Sequence, residues 1–265
     1  MGERGAGAQA ALYPFEGVSG YLVHPRQSRA GAPVALGHTA AAEPWQDGDV
    51  HLHREASEIF ILLQGRLRFL VGDSVLSLRP AELLLVRPGI PHAIVGGAGL
   101  IEHFGLRTPA VDDRESLYSR PIAQPTLTHE EAREVSGEWG HRIPLSDGRN
   151  QNVWLLGRGV ARFPCDYLAL AYGRFRSTAA AALPFAPEEL HRHTRCWEYY
   201  VVLRGTVTLQ VDDHVQTAQA GSLLEVPPGV CHAIADHGVP FAGLTIRAPL
   251  VHADRVECES VRPAA

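Results

Sequence analysis

The chain reads as an all-β protein of two small tandem barrels joined by a short helical or irregular linker. Three observations predict this. The pattern His51-x-His53-xxxx-Glu58 with a later Gly65 and His92 recurs as His191-x-His193-xxxx-Glu198 with Gly205 and His232, each position shifted by 140. An internal repeat of that kind has to be read before anything else, because it sets the architecture. Within each copy the apolar segments are short and bounded by Gly-Asp and Pro-Gly turns, which fits a sandwich or barrel and not a βαβ sheet. Between the copies the chain turns polar and carries Pro121, Pro125 and Pro144.

Taken in order, residues 1–112 form the first unit, with strands predicted over 59–63, 66–71, 83–86 and 100–106. Residues 113–150 read as linker and lead-in, with a capping box at Thr128-His129-Glu130-Glu131 opening a short helix through about Val135. Residues 151–265 form the second unit, with strands over 199–203, 206–211, 223–226 and 241–246. The gapless similarity spans roughly 40–107 and 180–247, and the tail after about Ala253 reads as a surface extension without pattern.

Bulk composition narrows the function. In 265 residues the net charge is −5, which offers no basic surface to a phosphate backbone, so no nucleic-acid partner is expected. All 24 cationic residues are arginine, and a chain without lysine cannot form a Schiff base. The first eleven residues lack the apolar run of a signal peptide, and no stretch approaches a membrane span. Cys165, Cys196, Cys231 and Cys258 are too few for a disulfide scaffold and have no CxxC spacing, which suggests free thiols in a reducing, cytoplasmic setting. Cys196 and Cys231 lie within or beside the motifs and read as inert buried thiols.

The repeated residues are metal ligands in type and spacing. Histidines two apart on a strand project from one face, so His51 with His53, and His191 with His193, can hold one ion together. Glu58 and Glu198 follow at an odd offset, which requires a turn or bulge after each pair. Beyond it the alternation points Phe60 and Leu62, or Tyr200 and Val202, inward. A lone HxH is a weak signal. With 14 histidines in the chain, an accidental match of three His and one Glu at one offset is on the order of one in 10^5. Each chain is therefore expected to bind two divalent ions. Four protein ligands leave two positions open on a six-coordinate ion, which suits Fe(II) or Mn(II); Ni(II), Co(II), Cu(II) and a closed Zn(II) site are the competitors.

The pattern HxHxxxxE, a following glycine, a Pro-Gly turn at Pro88-Gly89 or Pro228-Gly229, and a third histidine resembles the cupin superfamily, and two copies resemble a bicupin. The resemblance implies two jelly-roll barrels, each with one metal on His51, His53, Glu58 and His92, or on His191, His193, Glu198 and His232. It also brings association through barrel faces, a homo-oligomer, within expectation. Departures are concentrated in the first copy, where Ala81 and Arg87 stand at the positions of Gly221 and Pro227. Trp45 and Phe185 replace the glycine that usually precedes the first histidine, and read as barrel-mouth packing.

Three further residues are candidates for catalysis. Tyr200 has a phenol for proton donation, against the plainer reading of a core tyrosine with its hydroxyl satisfied. Arg107 and Arg247 end matching strands and could capture an anion, or stand in solvent. Glu102, His103 and Glu225 lie on the same strands with their facing undetermined. The leading expectation, which the resemblance largely supplies, is a dioxygenase that uses Fe(II) or Mn(II) on a small organic acid, enol or phenol. The alternative is a redox-neutral isomerase or decarboxylase, and the third reading is a non-enzymatic small-molecule binder. The fuller motif and Tyr200 favour the second barrel as the seat of chemistry.

Overall fold

A computed structural model describes residues 10–14, 20–23, 33–41, 49–118, 140–145, 151–158, 160, 165–175 and 188–258, and these contain strands and no helix. The first half comprises β1 (Ala11–Pro14), β2 (Gly20–Val23), β3 (Ala35–Ala41), β4 (Val50–His53), β5 (Ser57–Val71), β6 (Ser74–Leu78), β7 (Glu82–Val86), β8 (His92–Thr108), β9 (Arg114–Tyr118) and β10 (Gly140–Pro144). The second half comprises β11 (Gln151–Leu156), β12 (Ala169–Phe175), β13 (His191–His193), β14 (Trp197–Arg204) and β15 (Thr206–Val211). It continues with β16 (His214–Gln219), β17 (Ser222–Val226), β18 (His232–His237), β19 (Phe241–Ala248) and β20 (Arg255–Glu257).

Two compact units result, one spanning Gly17–Asp147 and the other Met1–Glu16 with Gly148–Ala265. The second unit is a jelly roll of two sheets, β1-β17-β14-β19-β12-β11 and β16-β15-β18-β13-β20. In the first unit β5 and β8 run unbroken through both walls, so the equivalent strands join one sheet, β10-β7-β5-β8-β3-β2, with β6 on β5, β4 on β8 and β9 on β4. The turn of β5 from one wall to the other is marked by register shifts at Leu62/Gln64 and Gln64/Arg66. Gly65 sits there at φ 82°, and a Cβ on it would stand 2.6 Å from the Leu100 carbonyl oxygen. Gly205 repeats this at φ 76°, where a Cβ would meet the Pro240 carbonyl oxygen at 2.2 Å. Only glycine fits so close an approach. Ala81 keeps the left-handed turn of its counterpart Gly221, at φ 63° against 80°, so the loss of that glycine leaves the backbone path intact.

The predicted alternation holds. Phe60 and Leu62 pack with Leu67, Phe69, Leu84 and Ile101 inside the first barrel. Tyr200 and Val202 take the same places among Leu209, Leu224 and Val226 in the second.

Several segments sit differently from the sequence reading. Ala11–Pro14 pairs with β17 of the second unit, although residues 1–112 were assigned to the first barrel. β9 and β10, expected within the linker, pair with β4 and β7 of the first. The start of the tail beyond Ala253 lies at the surface as expected but is patterned, since β20 pairs with β13 along its length. Cys231 is bonded to Cys258, 27 residues away, which ties this return strand to the turn before His232. Cys231 is therefore not a free thiol, whereas Cys196 is free and buried as expected. Pairings over such separations leave no local trace in composition, which is why they escaped the sequence reading. The capping box at 128–131 with its helix, and Trp45 and Phe185, lie outside the described residues.

Candidate metal centres

Each barrel gathers its four predicted ligands at one point. In the first, Glu58 Oε2 lies 3.7, 3.3 and 2.8 Å from the Nε2 atoms of His51, His53 and His92. In the second, Glu198 Oε2 lies 4.0, 3.2 and 2.9 Å from those of His191, His193 and His232. The odd spacing between histidines and glutamate is resolved by a change of strand: β4 and β13 end at His53 and His193, and β5 and β14 then start before each glutamate. His92 and His232 arrive on β8 and β18, cross-strand from His51 and His191.

The donor set fits a divalent ion. His92, His191 and His232 each donate Nδ1–H to a backbone carbonyl two residues earlier, at 2.9, 3.0 and 3.0 Å, which turns Nε2 toward the cluster. The Nε2 atoms of His191 and His193 are buried without a hydrogen-bond partner among the described residues, a costly state that an ion would relieve. Burial alone would raise the Glu58 carboxyl, but His51, His53 and His92 outweigh it and hold it well below the usual carboxylate range. Burial likewise opposes Glu198, and the Arg247 charge, with His193 and His232, overcomes it. Both glutamates are thus anionic and ready to ligate.

Behind each cluster stands a carboxylate that the sequence reading missed. Asp113 accepts the Nδ1–H of His53 at 2.8 Å and the backbone N–H groups of Glu55 and Ala56, both at 2.8 Å. Asp254 accepts the backbone N–H groups of Thr194, Arg195 and Cys196 at 3.1, 3.0 and 2.8 Å, and lies 3.5 Å from His193 Nδ1. The Thr194 hydroxyl also donates to Asp254. Each aspartate thereby fixes the bend that carries the chain from the second histidine to the glutamate. A signal did exist: Asp113-Arg114 and Asp254-Arg255 match at an offset of 141, one residue out of step with the repeat. Asp113→Asn is expected to weaken the first ion by about 10- to 100-fold, the usual scale for a carboxylate supporting a metal histidine. Competition against a chelating dye measures it, and an unchanged affinity would remove Asp113 from the site.

Beyond the ligands the two barrels diverge. The first encloses a cavity of about 280 Å³ lined by His51, His53, Glu58, Phe60, Thr39 and Arg107, among others. Strand periodicity builds its walls, with His103, Gly105 and Arg107 at alternate positions of β8, and Ala35, Gly37 and Thr39 at those of β3. Arg107 Nε is buried there without a hydrogen-bond partner among the described residues. In the second barrel the space beside Tyr200 is about 30 Å³ and touches no metal ligand, room for a water at most. Burial, and then the Glu198 charge, push the Tyr200 phenol well above its ordinary value, and its hydroxyl has no partner among the described residues. Arg247 stands opposite Glu198 in the same register that sets Arg107 opposite Glu58. Arg247 Nε, however, donates to Glu198 Oε1 at 2.8 Å, and its guanidinium lies 4.9 Å from the Trp154 ring centroid.

Of the other candidates, His103 faces the first cavity, while Glu102 pairs with His38 Nε2 at 3.1 Å. Glu225 is buried on β17, opposite Tyr199. His103 is pushed down to about 4, by burial first and then by His38, against the pull of Glu58. An unfolded imidazole titrates near 6.5, so between about 6.5 and 4 the unfolded chain takes a proton that folded His103 refuses. This part of the stability is complete above the unfolded value and falls as pH drops toward 4, by on the order of 3 kcal/mol. Urea midpoints of the metal-free chain should therefore fall between pH 7 and 5, and less steeply in His103→Phe. Equal slopes in the two proteins would contradict it.

The cupin domain family matches residues 40–97 and 184–246, which hold all eight ligands and both His-x-His pairs. No curated protein sequence matches significantly. Among solved structures the chain resembles oxalate decarboxylase from Bacillus subtilis. A serine-to-alanine variant of it superposes with a TM-score of 0.65 at 15% identity, over 96% of this chain and 80% of that one. An arginine-to-alanine variant gives 0.63 at 15% identity over the same shares. A further structure of that enzyme, studied for its Mn(II) centres, gives 0.63 at 14% identity, again covering 96% and 80%. Identity this low speaks for the fold alone. With a jelly roll and a complete His₃Glu cluster in each repeat, the chain belongs to the cupin superfamily as a two-domain bicupin.

Proposed function

We propose that the chain is a metal-dependent enzyme that acts on a small carboxylate in the first barrel by redox-neutral chemistry, decarboxylation above all. The observation that carries this reading is Arg107. Its guanidinium Nε is buried, has no hydrogen-bond partner among the described residues, and belongs to the wall of the same 280 Å³ cavity that His51, His53 and Glu58 line. A buried donor left unpaired costs about 1–3 kcal/mol, a state that persists where a ligand completes it. A carboxylate is the natural complement of a guanidinium. His51, His53, Glu58 and His92 would hold the ion, for which the resemblance to an enzyme with Mn(II) centres favours Mn(II). Such an ion supplies Lewis acidity, which polarises a bound carboxylate or carbonyl.

The residues around it divide the remaining work. Arg107 orients the substrate anion from β8. Phe60 and Ile94 give the cavity an apolar wall that limits water near the reacting carbon. His103, neutral above about pH 4, is placed to hold or pass a proton at a ring nitrogen. The expected dioxygenase chemistry has the weaker support, since the solved structures the chain resembles over most of its length belong to a decarboxylase. The Mn(II)-loaded chain, incubated with a panel of small mono- and dicarboxylates, should release carbon dioxide without net consumption of oxygen. Stoichiometric oxygen uptake would favour the dioxygenase instead.

A further inference from the structure

The second barrel has the same ligands and the same arginine, yet a further carboxylate stands among them. It comes from three residues before His191. Glu188 Oε1 stands 3.8 Å from His191 Nε2 and 3.7 Å from Arg247 Nη2, and its Oε2 accepts the backbone N–H of Ile234 at 3.4 Å. The counterparts of these three residues, by the offset of 140, are His51, Arg107 and Ile94. All three line the first cavity. The side chain of Glu188 thus lies among the groups that, in the other barrel, surround the open space. At its own matching position the first repeat has Gly48, which carries no carboxylate.

We infer that Glu188 is an internal stand-in for the substrate carboxylate: it fills the anion position of the second barrel and makes that metal site unresponsive to small carboxylates. This rests on reading both clusters as ion sites and extends the proposed function, because it explains why one barrel takes substrate and the other does not. The electrostatics agree. Arg247 is shared between two carboxylates, Glu198 at 2.8 Å and Glu188 at 3.7 Å, and has no charge left to attract a third. Arg107 makes no such pair among the described residues. The side chain of Glu188 is about one-fifth exposed, so it closes the site from its outer side. Glu188 is therefore a specificity-determining residue by exclusion, and its removal should turn a closed site into one like the first.

The test uses the full chain loaded with two Mn(II) ions, acetate as the probe, and electron paramagnetic resonance with water-proton relaxation as readouts. In the unaltered protein acetate is expected to perturb one of the two Mn(II) signals, the one that disappears in His51→Ala. In Glu188→Ala both signals should respond, with acetate affinity at the second ion raised by at least about tenfold. Relaxivity should rise by about one exchangeable water per chain as the carboxylate is withdrawn. Glu188→Gln keeps the shape without the charge and should give an intermediate response with both ions retained. A second signal still silent in Glu188→Ala overturns the inference, as does a response of both signals in the unaltered protein. Loss of the second ion in Glu188→Gln also overturns it, since the carboxylate would then be holding metal. Should the first signal ignore acetate in every variant, the proposed function of the first barrel fails, while the Glu188 comparison still reads the second ion.

Discussion

His51→Ala is expected to lower metal content from two ions per chain to one and to reduce decarboxylation by at least about 10³-fold, because a Lewis acid contributes several kcal/mol to such a transition state. His191→Ala should also remove one ion, yet cost at least a hundredfold less activity. Both residues are buried at the same point of the barrel, at 5% and 0% exposure, and each pairs with the third histidine of its cluster. Losses of folding should therefore be similar in the two variants, and a thermal melt of each would show it. What separates them is the surroundings of the ion: a cavity of about 280 Å³ lined by His51, His53 and Glu58 in the first barrel, against Arg247 already engaged by Glu198 and Glu188 in the second. Equal loss of activity in the two variants would refute a dominant first site. A larger loss in His191→Ala would restore the second barrel that the fuller motif and Tyr200 had favoured.

The ligand clusters were legible in the sequence because strand geometry writes them in short range. A two-residue step keeps His51 and His53 on one face, and the same rule placed Phe60 and Tyr200 inward. The glutamate and the last histidine were legible only through the duplication, since a constant offset survives whatever turn lies between. Asp113 and Asp254 escaped for the opposite reason. The chain gains one residue in the second copy between Arg247 and Asp254, so a gapless comparison loses step just before them. The difference between Arg107 and Arg247 was hidden more deeply. The two occupy one register, and what sets them apart is a side chain delivered from before the first histidine, Glu188 against Gly48. Motif completeness pointed to the second barrel, but completeness describes how well a turn is made. Whether a substrate can enter is decided by the volume and charge that the turn encloses. The Cys231–Cys258 bond was likewise beyond reach, since pairing among a few cysteines does not follow from sequence.

Arg107→Gln should separate stability from function more sharply than any other substitution in the chain. If the guanidinium exists to receive a carboxylate, its loss removes a charge-assisted hydrogen bond formed with substrate, and kcat/KM should fall by about 10²- to 10³-fold. Lysine should rescue only part of this, because a point charge does not reproduce the planar fork. The folded protein tells the other half. Arg107 Nε is buried without a partner among the described residues, so in the absence of substrate it is a cost to the fold. Glutamine, less costly to bury, should leave the thermal midpoint unchanged or raise it. The trade is the one expected where a site is held ready for a ligand. Arg247→Gln should behave differently, since it strips Glu198 of the donor at 2.8 Å that helps keep its carboxylate charged. There the second ion, not the turnover of substrate, should register the change. A fall in midpoint for Arg107→Gln with kcat/KM intact would place Arg107 among structural residues and deprive the first barrel of its anion-binding group.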